Sequence, residues 1–179
     1  MEFDIVYADP PWRYDFAPTK SMRIENHYPT MPVEKIASLK VPSAKNSALF
    51  LWATAPKLLE AVQVMKAWGF TYKTNIVWDK VRPGTGFWSR VQHEHLLIGT
   101  KGKFSPPAYE HRGTSVLCVK KTVHSRKPKV VSVMIEDAYP TMTKLELFGR
   151  EERDGWVVLG NAIDGKSIED ALAELGGAK

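Results

Sequence analysis

Phe3-Asp4-Ile5-Val6-Tyr7-Ala8-Asp9-Pro10-Pro11-Trp12 is the stretch from which the rest of the chain can be read. Its first six residues form a short, nearly continuous apolar run, the pattern of a strand buried on both faces. The run stops at two prolines, each with a fixed φ and no N–H to donate. A carboxylate therefore stands at the end of a strand, on a stiffened backbone, beside an indole. In open α/β sheets ligands gather beyond the C-terminal ends of the strands, so this is where chemistry is to be sought.

Outward from there, strand-like and helix-like runs alternate. Residues 47–53, 72–78, 95–99, 144–148 and 156–159 read as strands. Residues 55–68 carry apolar side chains at helical spacing and end at Gly69, a C-cap residue. A short helix is expected from Pro32 and another over 128–138, each with proline at its first turn, and a closing helix over 167–175 opened by Ser167. The alternation predicts an α/β fold: a Rossmann-like, mostly parallel central sheet with helices on both faces, in one domain over residues 1–179. Residues 13–31, 80–92 and 101–115 are long, rich in Pro, Gly and charge, and expected to be functional loops.

The 179 residues suit one domain, and 44% hydrophobic content suffices for its core. The single cysteine, Cys118, excludes an internal disulfide, and no window reaches membrane-span length, so a cytoplasmic protein is expected. The net charge of +5 suits a protein that meets phosphate. Much of it falls in one stretch between Lys101 and Lys129, which reads either as a nucleic-acid surface or as a solvated basic face. Neither a Walker lysine motif nor a GxGxxG is found, so nucleotide hydrolysis and dinucleotide redox chemistry lack support.

The Asp9 carboxylate and the Pro10 carbonyl offer two acceptors in one rigid cluster, and the prolines are expected to leave their carbonyls free of local N–H groups. An adenine amine is a poor nucleophile because its lone pair is delocalised into the ring. Two acceptors on its N–H groups favour the pyramidal geometry and the positive charge of the transition state. Trp12 either stacks on the base or belongs to the core. Later in the chain, Phe148-Gly149-Arg150 turns sharply after a strand, and glycine permits close backbone approach to a ligand. Asn161 closes the next strand, where a polar side chain is placed for ribose hydroxyls.

These motifs resemble the MT-A70 family of adenine-N6 methyltransferases, almost end to end. After Asp9-Pro10-Pro11-Trp12 come Tyr28-Pro29-Thr30-Met31, Leu49-Phe50-Leu51-Trp52, Ile76-Val77-Trp78-Asp79-Lys80, Glu94-His95, Ser125-Arg126-Lys127-Pro128, Leu145-Glu146-Leu147-Phe148-Gly149-Arg150 and Leu159-Gly160-Asn161. The resemblance implies an S-adenosyl-L-methionine-dependent adenine-N6 methyltransferase with Asp9, Pro10, Pro11 and Trp12 as the catalytic motif. It gives the cofactor to Asp9, Lys127, Phe148, Gly149, Arg150 and Asn161, with Arg150 and Asn161 on the adenosyl part and Lys127 on the methionine carboxylate. Glu94 and His95 become scaffolding at the rim. Glu152-Arg153 and Ala162 stand where the RNA-modifying branch carries His-Asn and Gln. The expected partner is nucleic acid, with DNA as first choice on the compactness of the chain. RNA is the runner-up, and a nucleic-acid-binding partner subunit with weak catalysis is the other alternative. A homodimer is left open.

Candidate substrate contacts are Tyr28, Lys80, Trp88, Lys101 and Lys103. Tyr28 either closes over the base or is a surface tyrosine. Lys80 ends a strand, within reach of a phosphate or the cofactor. The basic loops around Trp88 and around Lys101 and Lys103 read as a cradle of cations and stacking rings, or as loops packed by their own aromatics. His93 and His95 share a strand face but have no third ligand at convincing spacing, so no metal is expected.

Overall fold

The computed structural model of the chain describes residues 1–14, 29–84, 86, 88–121 and 126–177. Among these, strands β1 (Phe3–Ala8), β2 (Ser43–Thr54), β3 (Thr71–Asp79), β4 (His93–Lys101), β5 (Val116–Cys118), β6 (Lys144–Leu147) and β7 (Trp156–Leu159) form one sheet. Its order is β5-β3-β4-β2-β1-β6-β7. The helices are α1 (Val33–Ala37), α2 (Leu58–Ala67), α3 (Lys129–Ala138), α4 (Asn161–Asp164) and α5 (Ile168–Gly177).

The sheet is mostly parallel, as the alternation predicts: β1 runs with β2 and β6, β6 with β7, and β3 with β5. The exception is β4, antiparallel to both β2 and β3. A parallel return needs a crossover, usually helical. No helix is found among the described residues between β3 and β4, so the chain turns straight back.

Alternate residues of the central strands enter different cores, which is why their sequences are apolar throughout. Val6 and Ala8 of β1, and Leu49 and Leu51 of β2, pack with Ile36 of α1, Val64 and Met65 of α2 and Leu172 of α5. Tyr7, Phe50 and Trp52 face the other way, onto Val131 and Ile135 of α3. Gly69 ends α2 as expected: its φ of 84° is left-handed, and the Phe70 N–H reaches back to the Met65 carbonyl at 3.0 Å. Ser167 caps α5 by accepting the Asp170 N–H at 3.1 Å.

Three features depart from the sequence reading. The second strand begins at Ser43, because Ser43, Lys45 and Asn46 lead into it, around Ala44, through an irregularity in its pairing with β1. Strand β5 is only three residues long and partly exposed, too little for a periodic signal. A single helical turn, α4, starts at Asn161. No helix among the described residues is long and apolar enough to cross a membrane.

Candidate active site

The C-terminal ends of β1, β2 and β6 and the start of β4 meet at a cleft of about 690 Å³, within the range of small-molecule sites. Asp9, Pro10, Pro11 and Trp12 line it, together with Lys80, Glu94, Lys127, Phe148, Arg150 and Asn161. Register brings β1 and β6 together there: Ala8 pairs with Leu147, and the Asp9 N–H points at the Leu147 carbonyl at 3.4 Å.

At the floor lies a chain of alternating charges. The Lys127 ammonium is 2.6 Å from Asp9 Oδ2 and 3.3 Å from Glu94 Oε2. Lys80 holds the other oxygen of Glu94 at 2.6 Å. The Asp9 and Lys127 side chains are only 24% and 13% exposed. Buried ions of this kind persist because each is paired. Burial holds the Asp9 carboxyl above its usual range; Lys127 pulls it back, and Glu94 adds to the rise. Burial works against the charge on Lys127, but its two carboxylates outweigh that and hold the ammonium above the ordinary lysine value. Glu94 feels the same burial, yet Lys127 and Lys80 bring it below the ordinary glutamate value. The pairing therefore favours the charged forms of Lys127 and Glu94, while Asp9 is drawn both ways, toward the neutral acid by burial and Glu94 and toward the carboxylate by Lys127.

Trp52 supports this chain from beneath. Its ring lies 5.5 Å from the Lys127 nitrogen, its carbonyl accepts the Trp12 indole N–H at 3.1 Å, and its own indole donates to the Tyr7 hydroxyl at 2.7 Å. Trp12 is thus a core residue, 4% exposed, and of the two readings of its ring it takes the packed one. The proline carbonyls are not free of local N–H groups. Pro10 accepts the Trp12 N–H at 2.9 Å and Pro11 accepts the Met31 N–H at 2.7 Å. The first contact closes a tight turn around Pro11, and the second ties the motif to the segment at Met31. A carbonyl has two lone pairs, so Pro10 keeps acceptor capacity.

Across the cleft, Phe148 adopts a left-handed φ of 63°, rare for a bulky residue, where the chain leaves β6. Gly149 lies behind it, with its N–H on the Leu159 carbonyl at 3.0 Å. A Cβ at Gly149 would collide with Val158, and one at Gly160 with the Gly149 carbonyl. The two glycines let the turns after β6 and β7 sit back to back, and this seats Phe148, Arg150 and Asn161 on one wall.

The remaining expectations divide. Lys80 reaches the cleft, and Trp88 is fully exposed on the loop beyond it. Lys101 and Lys103 do not come to the cleft. Because β4 is antiparallel to β2, Glu94 lies beside Thr54 and Lys101 beside Ser47, which separates them by roughly 23 Å at about 3.3 Å per residue. Lys101 instead donates to Ser43 at the far edge, at 3.2 Å. Lys127 contacts Asp9 and Glu94, partners that sequence reading did not foresee. Tyr28 lies outside the described residues. His93 and His95 pack edge to face, and the described residues contain no group of three metal-ligating side chains. Glu94 was missed as a site residue; alternation along β4 was the available signal, since it turns Glu94 away from the two histidines.

A strand-end carboxylate beside two back-to-back glycine turns, on a mostly parallel sheet with helices, is the arrangement of a Rossmann-like α/β fold, the fold class of the methyltransferases with which the chain compares. The MT-A70 family model matches residues 3–162. The type II methyltransferase M.MunI of Mycoplasma sp is 32% identical over 191 aligned residues, covering 94% of this chain and 81% of that protein. The N(6)-adenosine-methyltransferase MT-A70-like protein of Arabidopsis thaliana is 33% identical over 174 residues, and the catalytic subunit METTL3 of Homo sapiens 30% over 181. These cover 91% and 94% of this chain, which spans only 24% and 30% of those two relatives. The chain belongs to the MT-A70 family, and with it to the S-adenosyl-L-methionine-dependent adenine-N6 methyltransferases. The cleft suits that cofactor: a glycine-backed wall ends in the exposed Asn161 amide, and a paired carboxylate and ammonium lie at its floor.

Proposed function

We propose that this chain methylates the N6 amine of adenine in DNA, with Asp9 as the acceptor for that amine. The observation that carries the reading is the Asp9 carboxylate, fixed between β1 and two prolines at the cleft floor with Lys127 on one of its oxygens. Asp9 accepts one N–H of the amine through Oδ1, and Pro10 accepts the other through its second lone pair. Both interactions strengthen as positive charge develops on nitrogen, so they act mainly in the transition state. Lys127 favours the ionised form of Asp9, and Glu94 with Lys80 keeps Lys127 in place. Bound S-adenosyl-L-methionine supplies an electrophilic methyl group on a sulfonium. Phe148, Arg150 and Asn161 hold its adenosyl end, and Gly149 and Gly160 set their wall. Trp12 braces the motif from the core. Lys121, at the rim, faces the phosphates of the nucleic acid.

DNA is the reading we favour over RNA because M.MunI, a type II methyltransferase, is matched over 81% of its own length. The test is incubation with isotopically labelled cofactor and single- and double-stranded DNA and RNA, followed by nucleoside mass spectrometry. N6-methyldeoxyadenosine is the expected product. Product from RNA alone moves the substrate to RNA, and methyl on cytosine or protein refutes the proposal.

A further inference from the structure

The N6 lone pair of adenine develops perpendicular to the ring, where neighbouring bases stack in a duplex. A methyl group approaching along that axis has no path while the base is stacked. Asp9, at the floor of a concave cleft and 24% exposed, is equally out of reach of a stacked base. Enzymes facing this problem take the base out of the stack. The hole left behind costs pairing and stacking, and proteins that disturb a base step commonly insert an apolar side chain into it.

One side chain is built for that place. The loop from Lys80 to Gln92 grows out of the β3–β4 hairpin and has a firm foot. The Lys80 N–H donates to the Gln92 carbonyl at 2.9 Å, and the Gly84 N–H to the Val91 carbonyl at 2.9 Å. Asp79 Oδ1 accepts both the Val81 N–H at 2.7 Å and the Gln92 amide at 2.8 Å. Val81, with a left-handed φ of 68°, turns the chain just past Lys80, which lines the cleft. Near the tip Gly86 lies against the Ser89 carbonyl, too close for a Cβ. Beside it stands Trp88, 100% exposed, between the exposed Arg82 and Arg90. A fully exposed indole, on a basic loop whose anchored foot begins at the cleft-lining Lys80, suits a stacked base flanked by phosphates. The other strongly exposed aromatics among the described residues lie elsewhere. Tyr72 is at the start of β3, beside Gly99 of β4, and Tyr109 belongs to the segment packed against α3.

We propose that Trp88 is a wedge that enters double-stranded DNA at the position vacated by the target adenine. The inference rests on the reading of DNA as substrate, and it adds that the acceptor is a duplex opened by the enzyme.

The test compares kcat/KM on an amplified mixed-sequence duplex with that on the same DNA heat-denatured, for the wild type, Trp88→Ala and Trp88→Phe. Melting temperature confirms that each variant is folded. The ratio of duplex to single-strand efficiency is expected to fall about tenfold in Trp88→Ala, the worth of one stacking contact, and to return most of the way in Trp88→Phe. A second readout is quenching by iodide. Trp12, Trp52, Trp68, Trp78 and Trp156 are buried, so Trp88 is the one of the six tryptophans open to the quencher. Duplex DNA should shield it. An unaltered efficiency ratio in Trp88→Ala, or undiminished quenching on bound duplex, overturns the wedge while the adenine-N6 reading stands. A wild type active only on denatured DNA also overturns it. A wild type that forms no N6-methyldeoxyadenosine on either DNA overturns both.

Discussion

Replacing Lys127 by methionine isolates what the charge chain does. The substitution keeps most of the apolar stem and removes the ammonium 2.6 Å from Asp9 and 3.3 Å from Glu94. Opposite charges in contact at a partly buried site attract by about 4 kcal/mol. Water at the 24%-exposed carboxylate reduces this, to about 2 kcal/mol, or about 1.5 pK units. The Asp9 carboxyl, already held high by burial, then rises further, and Glu94 is left as its near neighbour. For an acid that must be ionised to accept the amine, a raised pKa moves the acid limb of activity to higher pH. Lys127→Met should therefore be strongly impaired at pH 7 and recover in part as pH rises, with the acid limb of kcat displaced by about 1.5 units. Product formation by mass spectrometry across pH measures the limb, and calorimetry with S-adenosylhomocysteine measures the cofactor site in parallel. A limb at the wild-type position together with a large loss of cofactor affinity would refute the reasoning. Lys127 would then serve the methionine carboxylate, as the family resemblance implies, and not Asp9.

Asp9→Ala should lose about a hundredfold or more in kcat, on the order of 3 kcal/mol, while binding S-adenosylhomocysteine like the wild type; wild-type turnover would remove Asp9 from the chemistry. Trp12→Ala should destabilise the fold by about 3–5 kcal/mol, since it empties a core position and strips the Trp52 carbonyl of its donor; denaturant unfolding measures this, and a KM effect without loss of stability would speak for stacking on the base. Asn161→Ala should reduce the rise in melting temperature that S-adenosylhomocysteine brings to the wild type; an equal rise would take Asn161 out of the cofactor wall. Lys101→Ala with Lys103→Ala should leave the salt dependence of DNA binding as it is, whereas Lys121→Ala should make it shallower by about one unit of slope; the opposite pattern would place the nucleic acid at the other edge of the sheet.

The sheet and the motif at its centre were legible because their signals are local. An apolar run broken by two prolines marks a strand end without help from the rest of the chain. The partners of Asp9 were not legible in the same way. Lys127 is 118 residues away, and nothing in its own neighbourhood shows that α3 begins beside β1. The basic stretch misled for a related reason: closeness in sequence puts Lys101 near Lys121, but the antiparallel run of β4 sends Lys101 to the far edge. Trp12 lies beyond the prolines, where the period-two count no longer says which way a side chain points, so its place in the core had to come from packing. The family resemblance supplied the order of the motifs but not their contacts: it read Glu94 as scaffolding without the two lysines that the structure sets on either side of it.

The reversed strand has a consequence for engineering. Lys80 and Glu94 meet across the foot of a hairpin, pinned below Val81 by backbone contacts between residues 80 and 92. The segment above that foot can therefore be lengthened, shortened or exchanged without disturbing the two residues beneath it, much as hairpin tips elsewhere accept inserted peptides. If this loop meets the DNA as proposed, loops transplanted between Arg82 and Arg90 would alter which adenines are methylated. A graft that abolished methylation of every adenine would mean that the tip and the floor are mechanically joined after all.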